Sequence, residues 1–340
     1  MSAGLRVAVV GATGVVGRTM LALLRARRFP ADEIVPFASP RSAGRELDGG
    51  LVVRALDEQA ELSGFDLALF SAGASTSREW APRFVAAGAT VIDNSSAFRR
   101  DPTVPLVVAE VNPHALERHQ GLIANPNCST MQLVVALAPI HREVGIERLV
   151  VATYQSVSGT GKRALDELEA QAWAMLDGSE MPAPLIYPEP IAFNVIGAAG
   201  SFAAGDEHTD EEHKMMFETR KILEDEGIGV AVTCVRVPVR VGHAEAVNVQ
   251  TRAPLALERV RELLAGAPGV ALEELPTPLR AEGRDEVLVG RIRADHSHPR
   301  AFSMWVVADN LRKGAATNAV QIAELLLERE LVRAPAARAA

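Results

Sequence analysis

Residues 5–10 (LRVAVV) form a short, almost uninterrupted apolar run, and glycines at every third position follow at once: Gly11, Gly14 and Gly17 in GATGVVG. A run of this length and character reads as a strand buried on both faces, as in a parallel sheet. From 19 to 28 (TMLALLRARR), Met20, Leu23, Leu24 and Arg27 recur at helical spacing. Strand, glycine turn and helix open a βαβ unit. Glycines at such a turn let the backbone approach a pyrophosphate, and the helix N-terminus offers free N–H groups and the positive end of its dipole. The other reading is a plain tight turn; the position after a buried strand favours a dinucleotide. The expected contacts are Gly11, Thr13, Gly14, Val15 and Val16.

The pattern continues with strand-like runs at 34–38, 67–70, 90–93 and 106–109 and a helical stretch at 79–87. Strands alternating with helices predict an α/β fold with a Rossmann-type, doubly wound parallel sheet. After Asn125-Pro126-Asn127 the character changes. Helical patterns are expected at 131–138, 162–176 and 210–226, the last starting at a capping box, Thr209 to Glu212. Strands are expected at 149–156, 230–241, 246–251 and 303–307, giving a second, α+β domain. The expected division is 1–127, completed by a C-terminal helix at about 314–332, and 128–313. The charge-rich stretch from Arg280 to Arg300, with Gly283 and Gly290, has no role legible in the sequence.

Composition removes several classes of function. The 340 residues are 48% hydrophobic, too apolar for a disordered chain. Thirty-five Lys and Arg against 43 Asp and Glu leave a net charge of −8, which is no footprint for nucleic acid. No apolar run reaches about 18 residues, so no membrane span is expected. The N-terminus lacks a basic segment followed by an apolar one, so no signal peptide is expected. Two cysteines, Cys128 and Cys234, make no disulfide framework and point to a reducing, cytoplasmic setting. Residues 333–340 are expected to fray.

Particular residues carry chemistry. The second strand ends in Phe37-Ala38-Ser39-Pro40-Arg41-Ser42 without the acid that usually receives the ribose hydroxyls of NAD. An Arg flanked by hydroxyls suits a 2′-phosphate, so Ser39, Arg41 and Ser42 point to NADP; an ordinary loop arginine is the alternative. Cys128 lies in Asn125-Pro126-Asn127-Cys128-Ser129-Thr130, just before an apolar helix. A helix N-terminus stabilises the thiolate, which is the nucleophile. Cys234, in the middle of a strand, reads as a small buried hydrophobe. His243 follows Gly242 after a strand, either as an acid/base group or as a surface histidine. Arg236 shares a strand face with Val230, Val232 and Cys234, so it needs an anion there: a substrate carboxylate or a structural Asp or Glu. Glu211 and Lys214 share a helix face and by pattern alone make an ion-pair stripe with Glu218 and Lys221. The remaining histidines, His114, His119, His141, His208, His213, His296 and His298, have no metal spacing; surface positions and no metal are expected.

Six segments together, GATGVVG at 11–17, NPNCST at 125–130, YQSVSGTG at 154–161, EEHK at 211–214, CVRVPVRVGH at 234–243 and DNLRKGAA at 309–316, resemble the aspartate-β-semialdehyde dehydrogenases. The likeness runs through nearly the whole chain in the family's order. The resemblance implies NADPH-dependent reductive dephosphorylation of β-aspartyl phosphate through a Cys128 thioester, on the route to lysine, methionine and threonine. It implies His243 as acid/base and Gln155 as the residue orienting the substrate. It implies Arg236 for the substrate α-carboxylate, Glu211 for its ammonium, and Lys214, Arg99 and Asn127 for phosphate. It adds Ser71, Gly73, Asn94, Ser158, Gly159 and Asn310 to the NADP site, though Ser158 to Gly161 also fits a flexible turn. It implies a second domain that is both catalytic and dimerising, and a homodimer with no nucleic-acid or membrane partner. A related reductase, acting on N-acetyl-γ-glutamyl phosphate, typically has Gly before and an aromatic after its cysteine; here those places hold Asn127 and Ser129. A nucleotide-sensing relative without catalysis is disfavoured by the joint presence of Cys128, Gln155, Arg236 and His243.

Overall fold

In the computed structural model, which describes residues 4–332, the opening apolar run is strand β1 (Arg6–Val10), and the glycines turn it into helix α1 (Val15–Ala26). Val7, Ala8, Val9 and Val10 have no exposure, as a strand covered on both faces requires. Helix α1 starts four residues before the sequence pattern suggests, because Gly14 takes an extended cap conformation directly ahead of Val15. The chain continues through β2 (Glu33–Ala38), the short β3 (Glu46–Leu47), β4 (Leu51–Val52) and β5 (Arg54–Ala55), then β6 (Leu67–Phe70), α2 (Ala74–Ala86), β7 (Thr90–Asp93) and β8 (Leu122–Ala124). Six strands form one sheet in the order β5-β2-β1-β6-β7-β8, with every neighbouring pair parallel. This is the doubly wound sheet expected.

The run at 106–109 is not a strand. It makes a single bridge, Leu106 to Ala124, and then the Asn112 and Asn318 side chains accept the N–H groups of Val108 and Ala109. Those side chains take donors that a ladder would have used. The C-terminal helix Asn318–Glu328, entered through a π-helical turn at Arg312–Thr317, belongs to the same core. Ala319, Val320, Ile322 and Leu326 cluster with Val7, Val9, Met20 and Leu23. By contact the chain divides into two units: residues up to 126 with those from 315 onward, and residues 127–314. The tail at 333–340 lies outside the described residues.

The second unit begins at α3 (Cys128–Val144) and continues through β9 (Ile146–Gln155), α4 (Lys162–Asp177), α5 (Asp210–Leu223), β10 (Gly229–Arg236), β11 (His243–Thr251), α6 (Leu257–Ala265), β12 (Val270–Leu272), α7 (Pro278–Ala281), β13 (Val287–Ala294) and β14 (Ala301–Ala308). Its mixed sheet runs β10-β9-β11-β14-β13-β12. Helices α3, α5 and α6 pack on it. The β-branched run at 230–241 is not one long strand. Pairing with β9 ends at Arg236, and Pro238 has no N–H to continue a ladder. Gly242 turns the chain at φ +95°, where a Cβ would lie 2.9 Å from Pro278. His243 therefore opens β11 rather than trailing a strand. The illegible 280–300 stretch holds β13, where Gly290 lets the backbone pass: a Cβ there would come within 2.3 Å of the Glu273 carbonyl.

From Arg148 onward strand β9 alternates. Leu149, Val151, Thr153 and Gln155 are buried, while Val150 and Tyr154 are 38% and 37% exposed on the opposite face. Ala152 and Ala246 pair in register between those two, and Ala246 also pairs with Trp305.

Candidate active site

The first unit carries a nucleotide-shaped cleft. Gly11 sits at φ +84°, and a Cβ on it would lie 2.4 Å from the Ser71 carbonyl oxygen. A Cβ on Gly17 would lie 2.2 Å from the Gly11 carbonyl oxygen. Only glycine allows this close turn. No side chain caps α1 at Gly14, so its first-turn N–H groups face outward for an anionic ligand. A cleft of about 390 Å³ opens here, lined by Gly11, Thr13, Gly14, Ser39, Pro40 and Ser71 among others. Val15 and Val16 form the first turn of α1 behind it. Ser39 caps the 3-10 turn Pro40–Ser42, and Arg41 projects from that turn into solvent with no ion-pair partner among the described residues. Gly73 caps α2 at φ +83°, again without a side-chain cap. Asn94 follows β7 and accepts the Asn125 side-chain amide. Arg99, buried, donates to the Asn94 carbonyl at 2.7 Å. The cradle fits a dinucleotide.

The second unit carries the Cys128 thiol. Cys128 is the first residue of α3, and the Asn127 side-chain oxygen caps that helix by accepting the N–H groups of Ser129 (2.9 Å) and Thr130 (3.2 Å). Cys128 Sγ lies 3.2 Å from His243 Nε2. The sheet explains why they meet. Arg236 pairs in register with Gln155, and His243 precedes Ala244, which pairs with Tyr154, so His243 sits level with Gln155. Arg236, Gln155 and His243 thus form one buried row across adjacent strands, on the face that α3 covers. Arg236 donates to the Ser156 carbonyl at 2.7 Å. It makes no ion pair among the described residues, and its Nε and the Gln155 Nε2 are buried without an acceptor. Unsatisfied buried donors cost about 1–3 kcal/mol each, and an anionic ligand would satisfy both. Burial, then the nearby Arg236 guanidinium, hold His243 well below the usual histidine pKa, so it is neutral.

Beside the thiol, Asn127 donates its side-chain amide to Glu211 (2.7 Å), and Glu218 accepts the Asn127 backbone N–H (2.7 Å). Glu211 in turn accepts from Lys214 at 3.2 Å, and Asp210 accepts from Lys214 at 2.6 Å. Burial works against the Lys214 charge, but Glu211 and Asp210 outweigh it and raise its pKa. Ser158 and Gly159 lie in an ordered 3-10 turn, Val157–Thr160, in contact with the histidine: a Cβ on Gly159 would be 3.3 Å from His243 Nε2. Asn310 is buried and bonded to Ser156, Ser158 and Gly242.

Three features escaped the sequence reading. Glu245, two residues beyond His243 on the same buried face, is held strongly toward its neutral form by burial. Strand alternation with His243 was its available signal. Ser156 had none beyond its neighbours, and Glu218, which pattern placed only in an ion-pair stripe, is instead buried and accepts the Asn127 backbone N–H. His119 and His141, expected at the surface, are half-buried, each accepting a backbone N–H, from Gly121 and Ile146. Cys234 is fully buried, and burial pushes its thiol far above the usual range, so it is inert. Among the described residues no group of His, Cys, Asp and Glu is placed to hold a metal, and no helix is long and apolar enough to cross a membrane.

Two family models match the chain: the semialdehyde dehydrogenase NAD binding domain over residues 6–119 and the semialdehyde dehydrogenase dimerisation domain over residues 137–313. An aspartate-semialdehyde dehydrogenase of Aquifex aeolicus is 53% identical over 340 residues, covering 97% of this chain and 100% of the relative. The chain belongs to the aspartate-semialdehyde dehydrogenase family. Aspartate-semialdehyde dehydrogenase II of Vibrio cholerae, solved in complex with ASA, superposes with a TM-score of 0.92 at 50% identity, covering 96% of this chain and 99% of that one. An aspartate-semialdehyde dehydrogenase of Candida albicans, solved with NADP, superposes at 0.74 and 26% identity, covering 97% and 100%. As in other aspartate-semialdehyde dehydrogenases, a nucleotide-binding unit and a dimerisation unit share one chain, and here Cys128 and His243 fall within or next to the dimerisation match.

Proposed function

We propose that this protein reduces L-aspartyl-4-phosphate to L-aspartate-4-semialdehyde, releasing phosphate and using NADPH, in the cytoplasmic supply of lysine, methionine and threonine. The observation that carries this reading is the Cys128 thiol at a helix N-terminus, 3.2 Å from a buried histidine. The Cys128 thiolate attacks the acyl carbon; the C–S bond forms, the bond to phosphate breaks and phosphate departs with its electron pair. NADPH, when bound in the glycine cradle, supplies the hydride that reduces the resulting thioester. The C–S bond of the hemithioacetal so formed then breaks, releasing the semialdehyde and the Cys128 sulfur, with His243 as the acid/base that moves a proton to or from the thiol and the hemithioacetal. Gln155 orients the carbonyl, and Arg236 takes the α-carboxylate with its planar fork. Glu211 receives the ammonium, while Lys214, Arg99 and Asn127 hold phosphate. On the nucleotide side the residues are Gly11, Thr13, Gly14, Val15, Val16, Ser39, Arg41, Ser42, Ser71, Gly73 and Asn94, with Ser158, Gly159 and Asn310 from the second unit. Functionally, residues 1–127 with the C-terminal helix bind the nucleotide, and 128–313 perform the chemistry and dimerise.

The reverse reaction tests this. Purified protein with L-aspartate-4-semialdehyde, NADP and phosphate produces reduced nicotinamide at a rate that depends on phosphate. Activity confined to N-acetylglutamate semialdehyde would overturn the substrate.

For the cofactor, the exposed Arg41 without a counter-ion supports a 2′-phosphate contact. A charge-assisted hydrogen bond of about 1.5–3 kcal/mol is worth roughly a 10- to 100-fold change in binding. Arg41→Leu therefore raises KM for NADP by about that factor and leaves use of NAD unaltered. An unchanged KM for NADP removes Arg41 from the site. A second copy of this chain is the partner we assign to the exposed β9 face around Val150 and Tyr154, which lies within the matched dimerisation domain.

A further inference from the structure

We propose that Tyr187 is a positioning residue for Arg236: the guanidinium lies over its ring, which holds the charge without accepting an N–H, so the arginine stays fixed while donors remain free for the substrate carboxylate. This role rests on the assignment of Arg236 to the α-carboxylate above.

Arg236 ends β10, an edge strand of the second unit's sheet. Beside it runs the chain between α4 and α5, residues 178–209, which forms no helix or strand of its own. Loops this long are uncommon outside functional sites and linkers. This one grips Arg236 at two levels. Along the backbone, the Arg236 N–H donates to the Ile196 carbonyl at 2.8 Å, and the Ile196 N–H donates to the Arg236 carbonyl at 3.0 Å. At the side chain, the guanidinium carbon lies over the Tyr187 ring, 5.7 Å from its centroid. A ring attracts a cation at that range.

Tyr187 is itself held in place. Helix α4 presents Glu167 and Gln171 one turn apart on one face, and each takes two backbone N–H groups of the loop. Glu167 Oε2 accepts from Leu185 at 2.7 Å and Ile186 at 2.9 Å. Gln171 Oε1 accepts from Ile191 at 2.8 Å and Ala192 at 3.3 Å. The two clamps fall on either side of Tyr187 in the chain. The ring packs against an apolar cluster that includes Val157, Leu168 and Ile191. Its hydroxyl donates to Thr160 Oγ1 at 3.0 Å. Burial raises the pKa of that hydroxyl against the opposing pull of Arg236, so the proton stays on. Thr160 ends the 3-10 turn that follows Ser156, and the Ser156 carbonyl accepts from Arg236 Nη1 at 2.7 Å. Ring and turn fix the guanidinium together.

A ring suits this place better than an acid. A structural carboxylate would occupy the fork and neutralise it, in competition with any anionic ligand. An aromatic face attracts the charge through its quadrupole and leaves the in-plane donors alone. The guanidinium is held, yet its Nε has no acceptor. The rotamer freedom that binding would otherwise remove is removed in advance.

The test is steady-state kinetics of the full-length protein with L-aspartate-4-semialdehyde, NADP and phosphate. Tyr187→Leu removes the ring and should raise KM for the semialdehyde about 3- to 30-fold, the weight of a cation–π contact. Its kcat and its KM for NADP should change by less than about twofold, because the lost interaction serves binding of the semialdehyde alone. Tyr187→Phe keeps the ring and should recover most of the loss. In an Arg236→Leu background no guanidinium remains to position, so Tyr187→Leu should add nothing to KM. Three results overturn the proposal: an unchanged KM in Tyr187→Leu; equal losses in the Leu and Phe variants, which place the effect in the hydroxyl; or additive losses in the double variant, which make Tyr187 independent of Arg236. Melting temperatures accompany each variant, and Tyr187→Met, apolar and adaptable enough to fill the ring's space, takes the place of Tyr187→Leu should that one unfold. If Arg236→Leu alone leaves KM unchanged, the carboxylate assignment falls and this role with it. If Arg236→Leu raises KM and Tyr187→Leu does not, only Tyr187 loses its role.

Discussion

Replacing Cys128 with serine lowers kcat by at least about 10⁴-fold while the fold stays intact. A serine hydroxyl is far less acidic than a thiol, and a helix N-terminus and a neighbouring imidazole do not ionise it at neutral pH. Losses of a covalent nucleophile reach about 10⁶-fold where it has been removed from a cooperating set. The substitution is sterically quiet. Serine is smaller than cysteine, and the site is tight: a Cβ on Gly314 would lie only 2.9 Å from Cys128 Cβ. The measurements are steady-state turnover with the semialdehyde, an unchanged melting temperature, and mass spectrometry. The parent protein should acquire an acyl adduct at Cys128, and the variant should not. Turnover within tenfold of the parent would end the covalent mechanism.

Arg236→Leu should lower kcat/KM by about 10²- to 10³-fold, chiefly through KM. Truncating one partner of a buried, hydrogen-bonded charge pair costs roughly 2–5 kcal/mol. Here the partner proposed for Arg236 is the substrate carboxylate. Stability provides the discriminating readout. Arg236 is buried but has no carboxylate counter-ion among the described residues, and its Nε has no acceptor. A structural ion pair would make the variant much less stable; an arginine waiting for a ligand leaves the melting temperature close to the parent's or above it. Arg236→Lys should recover only part of the loss, since an ammonium lacks the planar fork. Strong destabilisation with an unchanged KM would assign Arg236 to structure alone.

Local signals carried much of this molecule. The β1–glycine–α1 opening was legible because a strand buried on both faces is a continuous apolar run, and glycine at a close turn has a steric cause visible in the sequence. Cys128 was legible because a polar loop ahead of an apolar helix places it at an N-terminus. The end of β10 was less clear. The run from Val230 to Val241 has the composition of a strand throughout, and only the missing N–H of Pro238 and the turn at Gly242 divide it. The row of Arg236, Gln155 and His243 depends on register between strands far apart in sequence, which no local pattern encodes. Glu245 was hidden because a buried, neutral glutamate looks in sequence like any surface acid. The capping role of Asn127 was obscured by its place in a motif that points to substrate; its side chain serves the helix and Glu211 as well.

The alternation of β9 ties two duties to a single register. Tyr154 and Gln155 are neighbours in the chain, yet one looks out toward the face assigned to a second copy and the other looks in toward the thiol. In a strand the side-chain period is two, so slipping the pairing by one residue exchanges the faces completely. Insertion of a single residue within β9 would send Tyr154 into the catalytic row and put Gln155 on the outside. A one-residue length change within β9 therefore disturbs the buried row beside Cys128 and the exposed face in the same event, and a compensating change of length would restore both.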